Sequence, residues 1–78
     1  MKQLLTDICK SLVEHPECIS VSEIVTATTI FYEVYTAPGE MGRIIGKQGK
    51  MIDAIRTILQ AIGTSQKKRI FVELPDNK

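Results

Sequence analysis

The sequence IIGKQGK at residues 44–50 places two glycines around a lysine and a glutamine, after an apolar pair and before a helix-like run. Glycine adopts backbone conformations and allows close approaches that a Cβ atom would block. A turn that opens onto a helix N-terminus directs backbone N–H groups at an anion such as a phosphate. The motif therefore predicts a tight loop that leads into a helix and contacts phosphate.

The length of 78 residues fits one domain, at residues 1–78, with a frayed tail at residues 75–78. A chain this short buries roughly 60% of its unfolded surface, so its stability is marginal and dimerisation would help. No apolar run reaches the roughly 20 residues that cross a bilayer, and the N-terminus lacks the long apolar core of a signal peptide. We therefore expect a cytoplasmic protein.

Charge is unevenly distributed along the chain, although its net value is only +1. Residues 1–40 hold two lysines against six acidic residues, whereas residues 41–69 hold seven basic residues against one aspartate. A basic patch of this kind supplies sequence-independent affinity for nucleic acid. The distribution favours such a patch over a solvated surface with charges scattered by chance.

Hydrophobic periodicity predicts the element order α-β-β-α-α-β. Pro16 ends the first helix, Pro38 opens the second, and Gly63 takes the C′ position after the third. The first two strands form a hairpin. The predicted elements are helices at residues 3–14, 38–45 and 50–62 and strands at residues 19–25, 29–36 and 69–74.

The three strands form a small sheet whose one face is covered by the three helices, which makes the fold class α+β. Alternation in the second and third strands leaves Phe31, Tyr35 and Phe71 on the uncovered face. Three aromatic side chains there make an apolar patch and a candidate protein-contact surface. In the alternative, the strand phase is shifted by one residue and these aromatics belong to the core.

Catalytic and metal chemistry find little support in the sequence. Cys9 lies on the apolar face of the first helix, as a buried hydrophobe would. A metal site from Cys9, His15 and Cys18 has no standard zinc spacing and lacks a fourth ligand, and His15 is better placed to cap helix carbonyls. No nucleophile–base pair is recognisable, and the glycine motif is one residue too short for a P-loop. We expect no enzyme activity, no cofactor, no metal and no small-molecule substrate.

A lone GxxG pattern arises by chance in roughly a third of chains this long, so its context decides. The block APGEMGRIIGKQG at residues 37–49, a first helix at residues 4–13 and AIRT at residues 54–57 resemble the type II KH domain. The resemblance is closest to the small single-domain bacterial KH proteins of the KhpA family. Gly39 departs from the acidic residue that the family tends to carry, and the second strand is more aromatic than usual.

The resemblance implies cytoplasmic binding of single-stranded RNA with little sequence preference and an RNA-chaperone-like, post-transcriptional regulatory role. It also implies a homodimer, or a heterodimer with a larger multidomain KH-containing protein, and no membrane insertion. In some bacteria the family is linked to cell elongation and envelope growth, that is, to cell shape and cell wall biogenesis. The alternative is a KH-fold interaction module that acts mainly through such a partner. A steep salt dependence of RNA affinity would distinguish the two.

In the expected mechanism of RNA binding, the loop at residues 46–49 holds the backbone of about four nucleotides. Its last three amides face phosphates, Lys47 supplies charge, and flanking basic residues add to it. Bases lie over an aliphatic groove bounded by the second strand, although Ile45 is equally well explained as purely structural. Arg56 is expected to be solvated or ion-paired, and residues 67–69 either add electrostatic attraction or form a solvated loop. The candidate RNA-binding residues are Met41, Arg43, Ile44, Ile45, Gly46, Lys47, Gln48, Gly49, Lys50 and Ile52.

Overall fold

In the computed structural model, which describes residues 1–75, a three-stranded sheet carries its helices on one face. This architecture confirms the predicted α+β class and element order. The frayed tail predicted for residues 75–78 falls, after Pro75, outside the described residues. The elements are α1 (Lys2–Leu12), β1 (Ser20–Val25), β2 (Thr29–Tyr35), α2 (Met41–Ile45), α3 (Lys50–Ser65) and β3 (Arg69–Glu73), with 3₁₀ turns at Pro16–Cys18 and Lys47–Gly49.

The sheet has the strand order β1-β2-β3 and mixed pairing. β1 and β2 pair antiparallel, which confirms the hairpin, and Thr26 closes its turn by accepting the backbone N–H of Thr29 at Oγ1, 3.0 Å away. β2 and β3 pair parallel, with Ile30 opposite Ile70. Parallel neighbours need a crossover connection, and here α2, the glycine loop and α3 supply it.

The core lies between the sheet and the helices. The predicted strand phase is correct, because Tyr32 is fully buried whereas Phe31 and Phe71 are exposed on the other face. Tyr32 also donates its hydroxyl proton to Glu23 at 2.7 Å. The buried apolar residues are Leu5, Cys9, Ile19, Val21, Ile30, Tyr32, Val34, Ile44, Ile52, Ile55, Leu59, Ile70 and Val72.

Helix α1 packs on the sheet through Leu5 and Cys9, which lie one turn apart and are fully buried. Burial raises the pKa of the Cys9 thiol to about 11, so the sulfur acts as a packing group, as predicted. The helix ends at Leu12, earlier than predicted, and Val13 is already extended. Pro16 instead begins a 3₁₀ turn.

Helix α2 is shorter than predicted, since Pro38 does not open it. Gly39 has a positive φ of 83°, which is incompatible with a helical turn at that residue. The N–H of Glu40 donates to the carbonyl of Ala37 at 3.2 Å, so these residues form a separate turn. The helix begins only at Met41, with Glu40 as its N-cap residue.

Helix α3 is longer than predicted, because Gly63 lies inside it rather than after it. A Cβ atom at Gly63 would collide with the side chain of Ile70 and lie 2.8 Å from the carbonyl oxygen of Lys68. The glycine therefore permits close contact between the helix and β3. The left-handed residue that ends the helix is Lys67, with φ of 59°, and the next N–H returns to the Gly63 carbonyl at 2.8 Å.

Candidate nucleic-acid interface

The loop at residues 46–49, hereafter the GKQG loop, joins α2 to α3 in one tight reversal. Helix α2 closes with the Gly46 N–H bonded to the Gly42 carbonyl at 2.9 Å. Gly46, Gln48 and Gly49 then have φ values of 76°, 59° and 77°. Helix α3 begins at the next residue, Lys50. The loop therefore ends at a helix N-terminus, as the motif predicts.

The two loop glycines are required for different reasons. A Cβ atom on Gly46 would lie 2.5 Å from the Cβ of Met51, in addition to the unfavourable φ. A Cβ atom on Gly49 would meet nothing within 4 Å, so only its left-handed backbone favours glycine. Gly46 thus brings the start of α3 against the end of α2, whereas Gly49 sets the direction in which α3 leaves.

The loop amides are not all available to a ligand. The Gly49 N–H donates to the Gly46 carbonyl at 3.2 Å, and the Lys50 N–H donates to the Lys47 carbonyl. A phosphate contact by the Gly49 amide, as expected from the motif, would have to break the first of these bonds. The amides of Lys47 and Gln48, at the tip of the loop, remain the better candidates for phosphate.

Positive charge at the loop comes from Lys47 and Lys50. Both are exposed, and neither forms an ion pair with any residue between 1 and 75. The N-terminus of α3 has no side-chain cap. Since the first turn of a helix carries unsatisfied N–H groups and a partial positive charge, an anion is favoured here.

Arg43, which is also predicted to belong to this site, is paired with a carboxylate. Its Nη2 donates to Oε1 of Glu14 at 2.8 Å, which ties α2 to the segment that follows α1. Both side chains are half exposed or more, so the pair is solvated. Its charge is nevertheless partly compensated, unlike that of the two lysines.

The apolar surface beside the loop differs from the predicted groove. Ile44 and Ile52 are buried in the core and cannot lie under a base without unpacking it. Ile45, the residue that was equally well explained as structural, is 37% exposed, as is Met51 in the first turn of α3. Met41 is half-buried. Met51 was not predicted from the sequence, although a long apolar side chain two residues after the last loop glycine is the signal that would have found it.

The basic segment of the sequence divides into two separate regions. Helix α3 has 16 residues, so it is about 24 Å long. Lys47 and Lys50 lie at its start, whereas residues 67–69 follow its end, and Lys68 there donates to the Thr26 carbonyl at 3.1 Å. Arg56, midway along the helix, lies 3.9 Å from Asp53 in an exposed ion pair, as expected, and it also donates to the Val72 carbonyl at 3.0 Å. Only the first region adjoins the GKQG loop.

A buried carboxylate holds the segment that leads into α2. Glu40 accepts the backbone N–H groups of Glu14 at 3.1 Å and His15 at 3.3 Å, and its Oε1 lies 2.7 Å from His15 Nδ1. His15 therefore binds a carboxylate rather than the helix carbonyls predicted for it. The hydrogen bond to Glu40 raises the pKa of His15. Burial pushes the pKa of Glu40 upward, but the hydrogen bonds from His15 and the two amides outweigh it and lower that pKa.

These residues also form the one group within residues 1–75 whose ligand atoms suit a metal ion. Atoms of Glu14, His15 and Glu40 lie within 4.8 Å of one another, and neither Cys9 nor Cys18 belongs to the group. The three side chains are already engaged with one another, with backbone amides or with Arg43. These contacts explain the cluster as a structural connection between the segment after α1 and α2.

Within residues 1–75, no helix is long and apolar enough to span a bilayer.

The α-β-β-α-α-β order, with a GxxG loop between its second and third helices, defines a KH domain. The family model described as "KhpA/KhpB, KH domain" matches residues 2–74, and the chain belongs to this family of non-enzymatic proteins.

Curated relatives agree with this assignment. The chain is 46% identical over 74 residues to "RNA-binding protein KhpA" of Clostridium acetobutylicum, covering 95% of this chain and 99% of the relative. It is 42% identical over 74 residues to the protein of that name from Caldanaerobacter subterraneus subsp. tengcongensis, with the same coverage. The Chlamydia muridarum protein of that name is 37% identical over 78 residues, covering all of both chains. No solved structure matches the chain significantly.

Proposed function

We propose that the protein binds single-stranded RNA through the GKQG loop and acts without catalysis as an RNA chaperone and post-transcriptional regulator in the cytoplasm. The observation that carries the proposal is the loop itself, which places Lys47 at the uncapped N-terminus of a 16-residue helix. The relatives named as RNA-binding proteins share nearly the full length of the chain.

Binding follows from local geometry. An anion at the loop would meet the amides of Lys47 and Gln48 at its tip and the positive end of the α3 dipole. Lys47 and Lys50 add charge, and neither forms an ion pair among residues 1–75. Such loops hold about four nucleotides by their backbone. Bases then lie against Ile45 and Met51, which are exposed beside the loop, rather than against the buried isoleucines. These contacts are made to the RNA backbone and to the apolar faces of the bases rather than to base edges, so little sequence preference is expected.

The proposal is tested by placing acid in the loop. The variant Lys47→Asp/Gln48→Asp should lose at least about tenfold in affinity for a single-stranded RNA, because two negative charges replace one positive charge where phosphate binds. The matched control is Gln66→Asp/Lys67→Asp, which changes the same residue types by the same charge at the other end of α3. Its affinity should stay within about threefold of the wild type. Far-UV circular dichroism establishes that both variants fold.

Equal losses in the two variants would show that only net charge matters, and unchanged affinity in the loop variant would overturn the proposal. Fluorescence anisotropy at several salt concentrations measures the RNA affinity of both variants and its dependence on salt.

A second candidate function is that of a KH-fold interaction module, which acts through a second copy or a larger KH-containing partner. The observation that favours it is the exposed stack of Phe31 and Phe71 on the open face of the sheet, with ring centroids 5.3 Å apart. RNA affinity that is absent or insensitive to salt would favour this candidate. A contribution to cell elongation and envelope growth, proposed on the family resemblance, is compatible with either function.

A further inference from the structure

Two phenylalanines stack on the open face of the sheet, on the side away from the helices. Phe31 of β2 lies opposite Phe71 of β3, with ring centroids 5.3 Å apart and 15° between the ring planes. The two side chains are 38% and 43% exposed. The helices pack on the other face, so within residues 1–75 no element covers this stack. Exposed aromatic rings are the surfaces on which the bases of a single-stranded nucleic acid stack.

Charge changes sign along β3 on the two sides of the stack. Arg69 stands two residues before Phe71 and Glu73 two residues after it, so all three share one face, and the Cα atoms of the outer two lie about 13 Å apart. Both charged residues are exposed, and neither forms an ion pair with any residue between 1 and 75. The open face therefore presents, in line, a cation, an aromatic surface and a carboxylate.

A second carboxylate lies at the acidic end of this line. Glu33 of β2 is directly opposite Glu73 of β3. Like charges in that position repel one another, and Glu33, too, has no basic partner among residues 1–75. A group that carries N–H donors and lies beside both carboxylates would relieve this repulsion.

We propose that the open face of the sheet binds one nucleotide of a single-stranded RNA and favours cytosine or adenine over uracil. The phosphate lies at Arg69, the base stacks on the phenylalanines, and its exocyclic amino group donates to Glu33 and Glu73. Cytosine and adenine carry that amino group, whereas uracil, like thymine, has an acceptor oxygen there, which carboxylates repel. We call these five residues the sheet site.

The sheet site is separate from the GKQG loop. The loop precedes α3 and β3 follows it, and this helix is about 24 Å long. The inference rests on the proposed function for its class of ligand, single-stranded RNA. It adds a second contact surface and a base preference, which contacts of the loop to the RNA backbone do not supply.

The charges favour a nucleotide over a protein as the occupant of the sheet site. Charged residues are depleted at the core of protein interfaces, but here an arginine and two carboxylates without ion pairs in residues 1–75 adjoin the two rings. A nucleotide carries its negative phosphate and its N–H donors at opposite ends, with a flat base between them. It therefore complements the cation, the rings and the carboxylates in the order in which β3 presents them.

The base preference is tested with oligocytidylate and oligouridylate of equal length, whose bases have the same ring size and differ chiefly in the amino group or oxygen at position 4. Wild-type protein should bind oligocytidylate at least about threefold more tightly. Glu73→Gln should bring the ratio of the two affinities near one, because a glutamine amide also donates to the uracil oxygen. Glu17→Gln removes the same charge from an exposed glutamate elsewhere and should leave the ratio unchanged.

The stacking contact is tested with Phe71→Ser, which should lower the affinity for oligocytidylate at least about fivefold. Leu4→Ser on α1 is the matched control, since Leu4 is 40% exposed, and its affinity should be that of the wild type. Far-UV circular dichroism establishes that both variants fold, and Glu73→Gln tests the sheet site without changing its apolar surface.

Amide chemical shifts separate this inference from the proposed function. In a titration of isotope-labelled protein with oligocytidylate, the amides of Arg69 and Phe71 report on the sheet site, and those of Lys47 and Gln48 report on the GKQG loop. Shifts at the loop alone would overturn the inference and leave the proposed function intact, whereas shifts at the sheet site alone would do the reverse. An affinity ratio that Glu73→Gln does not change would also overturn the inference. So would a folded Phe71→Ser variant that keeps its RNA affinity and differs only in sedimentation, since the face would then belong to a protein contact.

Discussion

The Nδ1 atom of His15 lies 2.7 Å from Oε1 of Glu40, a carboxylate that is almost completely buried. This contact connects the turn after α1 to the N-cap residue of α2, whose five residues separate Glu40 from the GKQG loop. Through it, the orientation of α2 depends on two titratable groups. Glu14 and Glu17 add negative potential at His15, and Arg43 pairs with Glu14 nearby.

Stability should therefore depend on pH in a defined window. The pKa of His15 is raised above 6.5, so its contribution is complete below pH 6.5 and is lost as the pH rises through the folded-state value. The pKa of Glu40 is lowered below 4.5, so its contribution is complete above pH 4.5 and is lost as the pH falls through its folded-state value. Both are present between these limits, and the urea midpoint should be highest there.

The variant His15→Gln isolates the contribution of the histidine to stability, because the chain contains a single histidine. Relative to the wild type, its urea midpoint should be lower at pH 5.5, and the difference should shrink toward pH 8. Urea unfolding at pH 5.5, 6.5, 7.5 and 8 measures this. A difference between the two proteins that does not change with pH would contradict a charged contact.

The buried faces of the second and third strands could be predicted from the sequence, because alternation of apolar residues determines which face of a strand is buried. Tyr32 and Phe31 take the faces that alternation assigns them. The helix ends could not be predicted equally well. The positive φ of Gly39 and the close contact of Gly63 with β3 depend on the tertiary structure, and hydrophobic periodicity in the sequence does not predict them.

The two loop glycines should differ in their tolerance of alanine. At Gly46, with φ of 76° and ψ of 178°, the backbone region is essentially restricted to glycine, and the new Cβ would lie 2.5 Å from that of Met51. Gly46→Ala should cost about 3 kcal/mol or more. Gly49→Ala, in open space with a left-handed backbone, should cost about 1 kcal/mol. Guanidinium unfolding compares them, and equal costs would contradict the role assigned to Met51.

Two helical glycines should respond to alanine in opposite directions. Alanine is favoured over glycine in a helix by about 1 kcal/mol. At Gly42 nothing lies within 4 Å of the added Cβ, so Gly42→Ala should stabilise the protein by up to about that amount. At Gly63 the Cβ meets Ile70 and a backbone carbonyl, and overpacking of about 1–3 kcal/mol outweighs the gain. Thermal unfolding should therefore show a higher midpoint for Gly42→Ala and a lower one for Gly63→Ala.

The site was less predictable than the fold. The sequence identifies the glycines and Lys47, because a loop of this kind needs particular residue types at fixed spacing. It does not tell Ile44 from Ile45, since adjacent apolar residues on a five-residue helix fit either face equally well. Nor does it show that Arg43 meets Glu14, a partner 29 residues away. Long-range pairing of exposed charges depends on the finished fold.

The ion pair of Arg43 should be visible in the salt dependence of RNA binding. Each phosphate neutralised on a single strand contributes about 0.7 to the slope of log affinity against log salt concentration. Lys47 has no ion pair among residues 1–75, so Lys47→Ala should reduce the slope by about that amount. Arg43→Ala should change the slope much less, because its guanidinium already lies 2.8 Å from Glu14. Anisotropy titrations between about 50 and about 300 mM salt measure both slopes. If Arg43→Ala lowers the slope as much as Lys47→Ala does, then Arg43 leaves Glu14 to bind phosphate, and Glu14→Gln should strengthen RNA binding.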